Sequence, residues 1–140
     1  MRHLEQQIRS LAEQAGVEIL YVFGSRAEEV LACFKAGARS LAAGPSDLDI
    51  GVLLPRGGWS VKEKVDFSQS LETLFGVERV DLVVLNEADP FLAAEVIRGE
   101  RLYERDRRFV DEYELYILRR AGDLAPFEQE RIQRDLTGHT

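Results

Sequence analysis

The sequence is poor in the residues that cross-link a fold. It has one cysteine, Cys33, and two histidines in 140 residues. No internal disulfide can form, and no Cys/His spacing can build a zinc site. Cys33 reads as a small core or surface residue. Long apolar runs are also missing, and those present fall far short of the roughly 20 residues that a membrane helix needs. No basic, apolar, small-residue leader opens the chain, so the expectation is a cytoplasmic protein with no membrane partner. Positive charge is in deficit: 18 Lys and Arg stand against 25 Asp and Glu, a formal net charge of -7. A groove that tracks nucleic-acid phosphates needs a basic face, which excludes long DNA or RNA as the expected substrate. A nucleotide bound through cations stays open, because a divalent ion inverts the local field. Internal repeats and low-complexity linkers are absent too, and residues 1–140 read as one domain large enough to bury a core.

What is present is a regular alternation of helix and strand signals. Leu4, Ile8, Leu11, Ala12 and Ala15 recur at helical spacing, with Gly16 as a stop. Residues 18–23, EILYVF, read as a strand running into Gly24 and Ser25. Ser25 with Glu28 has the spacing of a capping box, and Val30, Leu31, Phe34, Ala38 and Leu41 form an apolar stripe behind it, until Gly44-Pro45. Asp47 to Leu54 is the second strand and PRGG a loop. A second capping box, Ser60 with Glu63, predicts a helix that turns Val61, Val65, Leu71, Leu74 and Phe75 to the core and ends at Gly76. Arg79 to Asn86 is the third strand. Asp89 and Pro90 predict a cap and first turn of a short helix ending at Gly99, and ERLYE a small strand. Phe109, Tyr113, Tyr116 and Ile117 recur at helical spacing ahead of Gly122, Pro126 and a polar tail. The fold class predicted is α/β (α+β), a short mixed sheet flanked by helices. Its core covers residues of about 15–104, with a helical extension at about 105–140.

Strand interiors disfavour aspartate, yet Asp49 and Asp81 lie inside apolar runs. Alternate residues of a strand share a face, so Asp47 and Asp49 point one way while Leu48, Ile50 and Val52 point the other. If the second and third strands are neighbours, Asp81 joins them. Two ionised carboxylates about 4 Å apart repel by roughly 4 kcal/mol at an effective dielectric near 20, so three need protonation or bridging cations. Such all-oxygen donors select magnesium or manganese over zinc, and the pattern suggests a two-metal site. Gly24 lets backbone come close to a ligand, and Ser25 opens a helix whose first amides suit an anion. Taken singly, Ser25 reads as a helix cap and Asp47 as a turn residue. Asp49 and Asp81 have no such reading, and the four positions with Gly24 point together to a site for a nucleoside triphosphate and its metals.

Gly24-Ser25, Asp47-x-Asp49 and Asp81 resemble the signature of the polymerase-beta-like nucleotidyltransferase superfamily, and the small size resembles its minimal nucleotidyltransferase (MNT) branch. The run VDLVVLNEADPFLAAEVIRGERLYERD, from Val80 to Asp106, is similar to antitoxins encoded beside HEPN-domain toxins. The resemblance implies that Asp47 and Asp49 hold two Mg2+ or Mn2+ ions. It also implies that Asp81 completes the nucleophile-side ion and helps to deprotonate the attacking hydroxyl, and that Gly24 and Ser25 bind the triphosphate, with Arg26 as a further phosphate contact. The implied reaction moves AMP from ATP to a tyrosine of a cognate HEPN toxin and silences its RNase activity.

One departure from the family pattern stands out: 21 residues separate Ser25 from Asp47, enough for an inserted helical segment, expected to extend the fold in preference to the alternative, that it covers the active-site mouth. Lys35 and Arg39 on it read as solvated. Arg134 and His139 match an R-x4-H spacing without the helices that would give it meaning, and Tyr113 and Tyr116 read as core or interface aromatics. Two rivals remain: a non-catalytic antitoxin that neutralises its partner by covering it, and transfer to a small-molecule acceptor. A chain of this length leaves little room for the second domain that a small acceptor would need.

Overall fold

A computed structural model of the chain describes residues 3–37, 47–55 and 57–136, with side chains described as far as residue 123. Helix α1 (Leu4–Ala15) ends at Gly16 and leads into strand β1 (Ile19–Phe23). A 3-10 turn, Gly24–Arg26, connects β1 to α2 (Ala27–Lys35). Strand β2 (Leu48–Leu53), helix α3 (Val61–Phe75) and strand β3 (Val80–Val84) follow. After a second 3-10 turn, Leu85–Glu87, come α4 (Pro90–Ile97), β4 (Glu100–Glu104) and α5 (Arg107–Leu136). None of the described helices is long and apolar enough to cross a membrane.

The strands form one mixed sheet in the order β3-β2-β1-β4. β1 pairs antiparallel with β2 and β4, and β2 pairs parallel with β3. β1 is buried along its whole length because helices cover both of its faces. Leu20 and Val22 join Leu48, Ile50 and Val52 in a core closed by Leu4, Ile8, Val30, Phe67, Leu71 and Phe75 from α1, α2 and α3. Ile19, Tyr21 and Phe23 face the other way, into a second core with Ala93, Val96 and Ile97 of α4 and Val110 and Ile117 of α5. The period of two in the strand sequences thus splits the apolar residues between two layers.

The expected caps of α3 and α4 form. Ser60 accepts from the Glu63 amide (3.2 Å) while the Ser60 amide donates to Glu63 (3.0 Å), and Asp89 accepts from the Leu92 amide (2.9 Å) ahead of Pro90. Three expectations need correction. Ser25 does not cap a helix: the chain makes the 3-10 turn first, Arg26 occupies the cap position of α2, and neither segment has a side-chain cap. Val61 and Val65 are 75% and 46% exposed, since the buried stripe of α3 runs through Phe67, Leu71 and Phe75 on another side of the helix. The third strand is shorter than expected, because Leu85 to Asn86 turns into the 3-10 segment, where Asn86 donates to the Leu54 carbonyl and accepts from its amide, both at 2.8 Å. Ala38, Arg39, Leu41, the Gly44-Pro45 stop and His139 lie outside the described residues. α5 runs through Gly122 and Pro126 without a break.

Candidate active site

The parallel register of β2 and β3 sets Asp49 opposite Asp81. One step beyond the last paired residues, Leu48 and Val80, Asp47 comes opposite Arg79, and the Leu48 amide donates to the Arg79 carbonyl there (3.1 Å). Alternation then puts Asp47, Asp49, Arg79 and Asp81 on one face, the face that α4 covers further along the sheet. α4 comes close at Gly51, where a Cβ would overlap the Cγ1 of Val96. Asp49, two residues before Gly51, lies beyond this cover and is half-buried.

The turn after β1 reaches the same place. Phe23 pairs with Asp49, so Gly24 leaves the sheet directly over that carboxylate. Gly24 has φ +78°, a conformation that side chains rarely adopt, and a Cβ on it would overlap the Oδ2 of Asp49. Both reasons require glycine. Ser25 is exposed beside it, with its hydroxyl not engaged in capping. The strand-Gly-Ser-helix turn and the aspartates of two strands are therefore one site.

Arg26 is placed differently from Gly24 and Ser25. It is buried, and its guanidinium donates to both carboxylate oxygens of Glu29, at 2.9 and 3.0 Å. This pairing raises the Arg26 pKa and lowers that of Glu29. The pair with Glu29 holds the side chain against the first turn of α2, whereas Ser25 beside it is exposed.

The electrostatics of the cluster follow from its geometry. Partial burial pushes the Asp49 pKa up, and the charges of Asp81, Asp47 and Glu95 push it further in the same direction. Arg79 offsets part of this charge: its Nε lies 3.1 Å from Asp81 Oδ1 and 4.0 Å from Asp47 Oδ2. Among the described residues, no three acidic, histidine or cysteine side chains close into a preformed metal-ligand group. The three carboxylates nevertheless supply the hard oxygen donors that suit magnesium or manganese, in a field that already draws in a cation, namely Arg79. Sequence reasoning missed Arg79. The signal was available, because a residue two before Asp81 on a strand must share its face.

Comparison with known proteins agrees with this architecture. The chain matches the family described as polymerase beta, nucleotidyltransferase over residues 5–108. No curated protein matches it. Among solved structures it is similar to a toxin-antitoxin with AMP-PNP, at 20% identity and TM-score 0.74, over 94% of this chain and 98% of the other. It is also similar to a chain from a complex of tri-AMPylated Shewanella oneidensis HEPN toxin with MNT antitoxin, at 19% identity and TM-score 0.70, covering 95% and 96% of the two chains. A structure described as a minimal nucleotidyltransferase shares 30% identity over 68% of this chain and 84% of its own, with TM-score 0.50.

Proposed function

The chain belongs to the polymerase beta nucleotidyltransferase family, and from that premise we propose that it transfers AMP from ATP to a hydroxyl of a partner protein. The partner proposed is a HEPN-type toxin, the acceptor one of its tyrosines, and the consequence its neutralisation. The observation that carries the reading is the contact between Gly24 and Asp49, together with the register that sets Asp49 opposite Asp81. It brings a turn suited to phosphate together with a carboxylate cluster, and this supports the reading because nucleotidyl transfer needs both.

In this reading Asp47, Asp49 and Asp81 hold divalent ions, which supply charge neutralisation at the phosphates when bound. The amides and hydroxyl at Gly24 and Ser25 grip the outer phosphates on the 3-10 turn that leads into α2, on the side of that helix where its dipole favours negative charge. In the same reading Asp81 accepts the proton of the incoming hydroxyl. The new bond joins acceptor oxygen to the α-phosphorus, the bond from that phosphorus to the bridging oxygen breaks, and pyrophosphate leaves. Positioning contributes most of the acceleration. The AMP-PNP complex and the AMPylated toxin among similar structures support ATP and a protein acceptor.

The test is incubation with the candidate toxin, magnesium and ATP labelled at the α or the γ phosphate. The expected result is α label on the toxin and none from γ label. Label from the γ position would indicate a kinase-like reaction, and tight neutralisation without label would indicate a non-catalytic binder.

A further inference from the structure

Arg79 has no part in the transfer as derived so far, yet it is in contact with the groups proposed to carry it out. Its backbone is fixed on both sides: the Arg79 carbonyl accepts from the Leu48 amide (3.1 Å), and the next amide, of Val80, donates to Glu72 (2.9 Å). From this anchor the guanidinium lies between Asp81 (3.1 Å) and Asp47 (4.0 Å), while Asp49 faces the turn at Gly24. The guanidinium and a divalent ion would compete for the same carboxylate oxygens, and two cations that close repel each other.

We propose that Arg79 is the resident counter-cation of this cluster. It holds Asp47 and Asp81 while no divalent ion is bound and swings outward when ions enter, so it sets their apparent affinity. This rests on the reading that the three aspartates take the ions. Arg79 is a positioning residue in this scheme, acting through the carboxylates. Its side chain is 68% exposed, so it can leave without repacking any core residue. Linkage then requires that whatever the ion pairs contribute to the ion-free protein is subtracted from ion binding.

The test uses Mn2+ as probe, with free Mn2+ followed by electron paramagnetic resonance in the presence of α,β-methylene ATP, which cannot release pyrophosphate. Arg79→Gln is expected to bind Mn2+ roughly two- to tenfold more tightly than wild type, with Arg79→Lys close to wild type. In EDTA, Arg79→Gln should melt below wild type, and saturating Mn2+ should close that gap, which a purely structural role would not do. Affinity of Arg79→Gln equal to or weaker than wild type overturns the proposal. Asp49→Asn distinguishes the two levels. If Asp49→Asn loses Mn2+ while Arg79→Gln gains nothing, only the role of Arg79 falls. If wild type and Asp49→Asn bind Mn2+ alike, the metal reading falls and takes this inference with it.

Discussion

Two clusters in this molecule contain the same groups, three carboxylates and one arginine, and they are put to opposite use. Between β4 and α5, Arg101 donates to Glu114 and Asp111 at 2.8 Å and to Glu104 at 3.0 Å, so all three carboxylates are bonded to it. Tyr21, buried in the central strand, donates to the same Glu114 at 2.6 Å and ties α5 to the sheet. Glu114 and the other two carboxylates raise the Arg101 pKa, and burial together with Glu114 raises that of Tyr21, so the donors of the network stay protonated. Between β2 and β3, Arg79 pairs with Asp81, reaches Asp47 only at 4.0 Å, and leaves Asp49 to its neighbours' repulsion. Arg101 is 28% exposed and Arg79 is 68% exposed. The closed cluster is a fastener. The open one keeps surplus negative charge beside the Gly24–Arg26 turn, and the proposed cation-dependent transfer rests on that surplus.

The largest effect should come from neutralising the open cluster. Asp49→Asn is expected to lower AMP transfer by about a thousandfold or more, the scale of losing a principal charge-stabilising group. The fold should not suffer. The raised pKa of Asp49 means that the folded state holds this proton more tightly than the unfolded chain does. Ionisation therefore costs stability as pH rises from the ordinary aspartate value to the raised one, and the whole cost is present at neutral pH. Melting of Asp49→Asn at pH 7 should be unchanged or a few degrees higher, roughly, and any gain should vanish in acid, where wild type is protonated as well.

Gly24→Ala should come next, because it injures both the turn and the carboxylate beneath. The added Cβ must displace Asp49 and adopt a left-handed φ, so transfer should fall by about a hundredfold and stability by about 1–2 kcal/mol. Kinetics and thermal melting on one preparation check both. The closed cluster should respond in the reverse manner. Arg101→Ala leaves a half-buried Glu114 without its cation, and a loss of about 2 kcal/mol is expected, with transfer per folded molecule retained. Tyr21→Phe removes one bond of the same network and should cost about 1 kcal/mol, again without effect on transfer.

Which of the two clusters was legible in the sequence follows from the separation between the residues concerned. Asp49 and Asp81 were readable because aspartate in an apolar strand is a local anomaly and alternation fixes its face. Gly24 was readable from the abrupt end of an apolar run. The capping-box spacing at Ser25 and Glu28 misled, since a 3-10 turn consumes the residues that a helix start would have used, and that same turn carries Arg26 beneath the surface toward Glu29. The Arg101 network was not legible, because its partners Tyr21 and Glu114 lie 93 residues apart and meet only once β1 pairs with β4 and α5 packs on the face that Tyr21 presents. β4 itself was readable as ERLYE, but its neighbour in the sheet was not. Val61 and Val65 show the limit of an apolar stripe: spacing marks a face but not which of two flanks the sheet lies against.

The contrast is tested most directly by the melting temperature with magnesium and α,β-methylene ATP, measured for wild type and Asp49→Asn. The account predicts that wild type melts about 3 °C or more higher when both are present than with either alone, by preferential binding to the folded state, and that Asp49→Asn shows no such rise. An equal rise in both proteins, or none in wild type, would contradict it.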